Sequence, residues 1–154
     1  MGETTLFKTS LNKSMALCSR REYCISDIIT KLDSWGVGKD DAGRIIKNLL
    51  KEKFIDEERY ATAFVKDKFR YNKWGKIRLG LNLKMKGIPA DIIKLALESI
   101  EYEEYRRMLE DLISSHRRKI KAKNQYDLKA KLMRYGLSKG FESSMIYEIL
   151  GEGN

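Results

Sequence analysis

Cysteine, histidine and proline are nearly missing from this chain, at two, one and one in 154 residues. Two cysteines, Cys18 and Cys24, are too few for a disulfide scaffold, and His116 offers no second Cys/His pair for a zinc site. No metal or cofactor is therefore expected. No run of eighteen apolar residues exists, which excludes a membrane-spanning helix. The stretch Met1 to Ser14 lacks the apolar core of a signal peptide, so a cytoplasmic protein with reduced thiols is expected. Glycine-rich phosphate loops, nucleophile elbows and metal-ligand spacings are also absent, and an enzyme is not expected. The carboxylate clusters Asp40-Asp41 and Asp56-Glu57-Glu58 stand at predicted helix starts, where capping accounts for them better than a magnesium-dependent nuclease would.

Positive charge is what the chain has in excess. Lys and Arg number 31 against 22 Asp and Glu, for a net charge of +9. That balance favours a polyanionic partner, because attraction to a phosphate backbone grows with each cation presented. No helix shows the wide apolar face opposite lysine that a membrane-surface helix needs.

A second positive feature is an internal repeat. Gly36, Gly87 and Gly140 stand 51 and 53 residues apart, each after a basic amphipathic stretch. One residue after them come Val37, Ile88 and Phe141; nine after, Ile45, Ala96 and Ile149; eight before, Ile28, Leu79 and Leu132. A repeat of about fifty residues predicts an array of small modules presenting a long surface instead of a pocket. Each module alone would be marginal, so the modules lean on one another.

Apolar spacing is helical throughout, and each module reads as three helices. In the first, Met15 to Tyr23 is a short basic helix. Ser26 caps a second helix with Ile28, Ile29 and Leu32 on one face, closed by Gly36. A third starts near Asp40 and carries Ile45, Ile46, Leu49 and Leu50. In the second module Asp56 is an N-cap, Ile55 and Tyr60 form a hydrophobic staple, and Ala61, Phe64, Val65 and Phe69 are buried. Ile77 to Met85 follows, stopped by Gly87, and Pro89 opens the next helix. The third module has helices near Tyr102 onward, Gln125 to Tyr135 and Glu142 to Leu150, and Gly136 thins its core. The expected domains are a flexible segment 1–13, modules 14–53, 54–101 and 102–150, and a disordered tail 151–154.

Two segments concentrate charge. Lys66 to Arg78 holds six cations (Lys66, Lys68, Arg70, Lys73, Lys76, Arg78), one anion and three aromatics in thirteen residues, with Gly75 marking a corner. Such cations neutralise phosphates, and exposed Tyr or Trp stacks on unpaired bases, whereas Phe69 and Trp74 equally suit a core. The run from His116 to Lys123 adds Arg117, Arg118, Lys119, Lys121 and Lys123 as a second phosphate-contacting patch or a solvated loop. Arg20 and Arg21 in the first module, and Lys84 and Lys86 in the second, extend the charge along the array.

The segment Phe54-Ile-Asp-Glu-Glu-Arg-Tyr-Ala61 resembles the bacterial RecX regulators of the RecA recombinase. Ala63-Phe64-Val65, Trp74-Gly-Lys-Ile-Arg78, Leu83-Lys-Met-Lys-Gly-Ile88, residues 19–26 and Lys139-Gly-Phe141 with Ile146 carry the same resemblance, over about residues 14–150. It implies three tandem three-helix modules in a curved, elongated array. It also implies binding to the RecA–single-stranded DNA filament, in its groove, by a monomer that limits filament extension, ATP hydrolysis and strand exchange in recombination and DNA repair. On this resemblance Gly36, Asp56, Tyr60, Phe64, Gly87 and Gly140 are structural, and no catalytic residue is implied. A helical DNA-binding module acting without RecA is the competing reading.

Overall fold

The computed structural model describes residues 4–152. Among these the chain forms nine α-helices, one π-helical turn and no strand. The helices are α1 Thr5–Arg20, α2 Ile25–Ser34, α3 Lys39–Lys51, α4 Glu57–Asp67, α5 Lys76–Met85, α6 Ala90–Glu98, α7 Tyr102–Arg117, α8 Gln125–Ser138 and α9 Ser143–Glu152. The π-helical turn, Lys68–Asn72, extends α4. The fold is all-α, in tandem three-helix modules.

The repeat glycines end α2, α5 and α8 in one way. Gly36, Gly87 and Gly140 are left-handed, with φ of 81°, 80° and 96°. Each donates its N–H to the carbonyl three residues back, while the following residue bonds to the carbonyl five back: Val37 to Leu32, Ile88 to Leu83 and Phe141 to Gly136. Only glycine takes this conformation without a Cβ penalty, so the motif explains why the residue recurs. Helix α3 closes by the same pair of bonds on Lys53, at φ 62°.

By packing, the described chain falls into two compact units, Met1–Ala63 with Leu83–Ile93 and Phe64–Asn82 with Lys94–Asn154. In the first, Phe7, Tyr23, Ile28, Leu32, Val37, Ile45, Ile46, Leu49 and Ile55 form the core. Asp56 accepts the N–H of Arg59 through Oδ1 at 3.1 Å, and Ile55 and Tyr60 are buried beside that cap. Several expectations fail here. The basic helix predicted over 15–23 begins at Thr5, so residues 5–13 are helical and not a flexible segment. Thr4 caps it by accepting the N–H of Phe7, and Phe7 is buried against the core with the Arg44 guanidinium 4.6 Å above its ring. Burial of one aromatic outweighs the weak helix propensity of the Thr- and Ser-rich start. Ser26 does not cap α2; Cys24 does, and the Ser26 hydroxyl donates to the carbonyl of Lys86 at 2.8 Å. Ile29 and Leu50 are exposed.

The second unit centres on an aromatic column. Tyr105 stacks between Phe69 and Phe141, with ring centroids 5.8 and 5.0 Å apart. Phe64, expected in the core, is half-buried and packs against Trp74 at 6.4 Å. Gly136 does not thin the core: the Ile146 side chain fills its column, so a Cβ there would meet Ile146 Cδ1 at 2.7 Å. Gly151 and Glu152 of the expected disordered tail continue α9; residues 153–154 lie outside the described ones.

Two kinds of glycine should respond oppositely to alanine. A Cβ on Gly75 would lie 2.4 Å from the backbone C and O of Gly140, atoms that cannot rotate away. Gly43, inside α3, has nothing within 4 Å. In urea denaturation, Gly75→Ala should lower stability by about 1–3 kcal/mol, and Gly43→Ala should raise it by about 0.5–1 kcal/mol.

Burial raises the phenol pKa of both Tyr60 and Tyr105 above the ordinary tyrosine value, and a hydrogen bond to Glu142 adds to it at Tyr105. The unfolded chain therefore sheds these protons first. The stabilisation is complete below roughly pH 10 and is lost as pH rises past it. Tyr60→Phe and Tyr105→Phe should each flatten the alkaline decline of the thermal midpoint; an unchanged slope would refute the burial argument.

Candidate nucleic-acid interface

The Lys66–Arg78 segment leaves α4, runs through the π-helical turn and enters α5. It lies wholly in the second unit. Lys73 ends the turn in a left-handed conformation, φ 60°, with Trp74 N–H on the carbonyl of Lys68 at 3.3 Å. A lysine held there stores on the order of 1–2 kcal/mol of strain. Phe69 is buried and anchors the turn from below. Tyr71, in the same turn, is 80% exposed.

The turn after α8 fastens this corner. Gly75 N–H donates to the carbonyl of Lys139 at 2.8 Å and Ile77 N–H to that of Gly140 at 3.0 Å. Lys76 N–H donates to the Tyr105 hydroxyl at 2.8 Å, and that hydroxyl donates to Glu142. At the start of α5 the N–H groups of Gly75, Lys76 and Ile77 are thus met by protein acceptors. Side chains tie the same two segments: Lys139 Nζ reaches the carbonyl of Asn72 at 2.9 Å, and Arg78 Nη1 that of Ser138 at 3.4 Å.

The six predicted cations have different surroundings. Lys66 is exposed. Lys68 and Arg78 lie over Trp74, at 5.7 and 4.3 Å from its centroid, so the half-buried indole is covered and is not a free stacking surface. Lys76 lies 4.8 Å over Tyr105. Arg70 faces Glu104 at 3.8 Å, an exposed pair worth little. Lys73 and Arg78 have no carboxylate within 4.0 Å among the described residues, nor does Lys139. Burial, then the charges of Arg78 and Lys73, push the Lys139 ammonium below the ordinary lysine pKa. Lys139 is the residue that charge counting missed: it is isolated in sequence, and its only signal is its place directly before a repeat glycine.

The second basic run is a separate element. Arg117 closes α7, and Arg118, Lys119, Lys121 and Lys123 occupy the connection to α8. Lys131 Nζ donates to the carbonyl of Lys121, Lys123 N–H donates to Asp127, and His116 stacks on Tyr135 at 3.7 Å. In the first unit Lys86 is neutralised by Asp27 at 2.8 Å, so it does not extend the positive surface as expected. Glu57 accepts the N–H of Ile25 at 3.1 Å, a structural role for one of the clustered carboxylates.

Comparison with known proteins bears on this arrangement. Two family models match: the second three-helix domain of RecX over residues 56–97 and the third over 103–150. Proteins named "Regulatory protein RecX" are similar to the chain. One from Clostridium acetobutylicum is 36% identical over 71% of this chain and 52% of its own length. One from Oceanobacillus iheyensis is 30% identical over 85% of this chain and 47% of its own length. The chain spans about half the length of the curated relatives it matches. A crystal structure of RecX from Lactobacillus salivarius superposes with a TM-score of 0.83 at 22% identity, over 96% of both chains. A second crystal structure, of a regulatory protein RecX, gives 0.87 at 22% identity, over 96% of this chain and 72% of the other. The chain belongs to the RecX family of regulatory proteins.

Proposed function

We propose that this chain modulates the RecA recombinase. It binds the RecA–single-stranded DNA filament in its groove and limits filament extension, ATP hydrolysis and strand exchange in recombination and DNA repair. It does so as a cytoplasmic monomer with no catalytic step of its own. Membership of the RecX family supports the regulatory role, and the resemblance carried by residues 54–88 supplies RecA as the partner. The observation that carries a DNA contact is the corner at Lys66–Arg78. There Lys73 and Arg78 have no carboxylate within 4.0 Å among the described residues, and the residues between them, Gly75 and Ile77, are bonded through their backbones to 139–140. Arg117, Arg118, Lys119, Lys121 and Lys123 add a second set of phosphate contacts. No helix among the described residues is long and apolar enough to cross a membrane.

The test is phosphate release by RecA on single-stranded DNA with ATP. Substoichiometric amounts of this protein should slow it, and an unchanged rate would refute the proposal. Binding to naked DNA separates the competing reading. Tight binding at physiological salt without any effect on RecA would favour a module acting alone; weak binding to naked DNA with tight binding to the filament would favour regulation.

A further inference from the structure

We infer that Lys73, Arg78 and Lys139 form a preorganised seat for one backbone phosphate of single-stranded DNA, with Tyr71 presenting a ring to an adjoining base. The inference deepens the proposed DNA contact by naming its anchoring residues, and it adds one that the sequence's charge clusters omit.

The three cations come from two segments that the fold pins together. Lys139 is tethered by its hydrogen bond to the Asn72 carbonyl at 2.9 Å. Arg78 is fixed twice, over Trp74 at 4.3 Å and on the Ser138 carbonyl through Nη1 at 3.4 Å, and its remaining guanidinium donors are not engaged in any ion pair. Lys73 is fixed by its backbone, at φ 60°. Arg78 and Lys139 thus have less side-chain freedom to lose on binding than untethered surface cations, while the position of Lys73 is set by its backbone alone.

Among the described residues the cluster has no carboxylate within 4.0 Å. Three other cations that the chain holds in place are neutralised: Arg59 on Glu22 at 2.6 Å, Lys86 on Asp27 at 2.8 Å and Arg106 on Glu148 at 3.0 Å. At Lys139 the neighbouring charges are Arg78 and Lys73, both of the same sign. An anion binding among the three relieves that repulsion, so the fold supplies part of the driving force. At the N-terminus of α5 the N–H groups of Gly75, Lys76 and Ile77 are already bonded and do not compete for the anion. A nucleic-acid phosphate is favoured over an acidic peptide because Tyr71, 80% exposed, belongs to the turn that ends at Lys73. Stacking on such a ring is available to any base.

Binding of a fluorescein-labelled oligothymidylate, followed by anisotropy over a series of salt concentrations, tests the seat. Lys139→Gln and Lys73→Gly should each weaken binding roughly tenfold at low salt, the scale of one charge-assisted contact. Each should also shallow the salt slope by about 0.7. Lys73→Gly suits the left-handed backbone, so its thermal midpoint should not fall, which keeps loss of binding distinct from loss of folding. Tyr71→Ala should weaken binding with the slope unchanged. Lys47→Gln, on α3, should change neither. Affinities and slopes equal to those of Lys47→Gln, no binding by the native chain, or competition by polyglutamate as strong as by oligothymidylate would each overturn the inference. A native chain that leaves RecA phosphate release unchanged while these variants lose DNA affinity would refute the RecA reading alone.

Discussion

Two backbone hydrogen bonds, Gly75 N–H to Lys139 O and Ile77 N–H to Gly140 O, hold the basic corner against the turn after α8. They require an approach that only two glycines permit. A Cβ on Gly75 would strike the Gly140 backbone at 2.4 Å, and one on Gly140 would strike Arg78 Cβ at 2.3 Å. The contact settles what lies near it. It places Lys139 against Asn72 and Arg78 against Ser138, and it occupies the N–H groups of Gly75 and Ile77 at the start of α5. Tyr105 completes the joint from the core side, bonded to Lys76 N–H and stacked between Phe69 and Phe141. The charged surface is thus mounted on closely packed backbone.

The repeat was legible in the sequence, but its glycines are not equivalent. All three end a helix through the same left-handed turn, which is the property that periodicity reports. A Cβ on Gly36 or Gly87 would meet nothing within 4 Å, so there the conformation alone requires glycine. Gly140 is needed for conformation and for contact together. Spacing along one chain carries no information about what packs against a turn from 65 residues away, between Gly75 and Gly140.

The same limit explains the other differences. Apolar periodicity located every helix, because burial of one face is a local pattern. It missed the first half of α1, where Phe7 is the one fully buried apolar residue, beside buried Ser10 and half-buried Leu11. It placed the α2 cap on Ser26, since serine is the stronger capping type, whereas that hydroxyl is drawn to the Lys86 carbonyl. It read Gly136 as a hole, although Ile146 occupies the space. For the site, charge density found Lys66 to Arg78 but could not rank its members. Partners distinguish Arg70, beside Glu104, from Lys73 and Arg78, and bring Lys139 in from a segment with no charge cluster.

The cost structure at the corner separates fastening cations from presenting ones. Five described residues have left-handed φ values: glycine at 36, 87 and 140, and lysine at 53 and 73. Glycine would relieve backbone strain at either lysine, so each side chain must be weighed by what it adds. Lys53 stands beside Arg59, whose charge is already met by Glu22, and its carbonyl accepts an Arg59 bond. Lys73 instead stands among Arg78 and Lys139 with no carboxylate near, and so adds repulsion to strain. Among the described residues no carboxylate within 4.0 Å offsets the repulsion. Strain and repulsion are local, both act on the same few side chains, and an anion removes the repulsion. Packing therefore explains where the corner is held, while the proposed phosphate contact accounts for its charges.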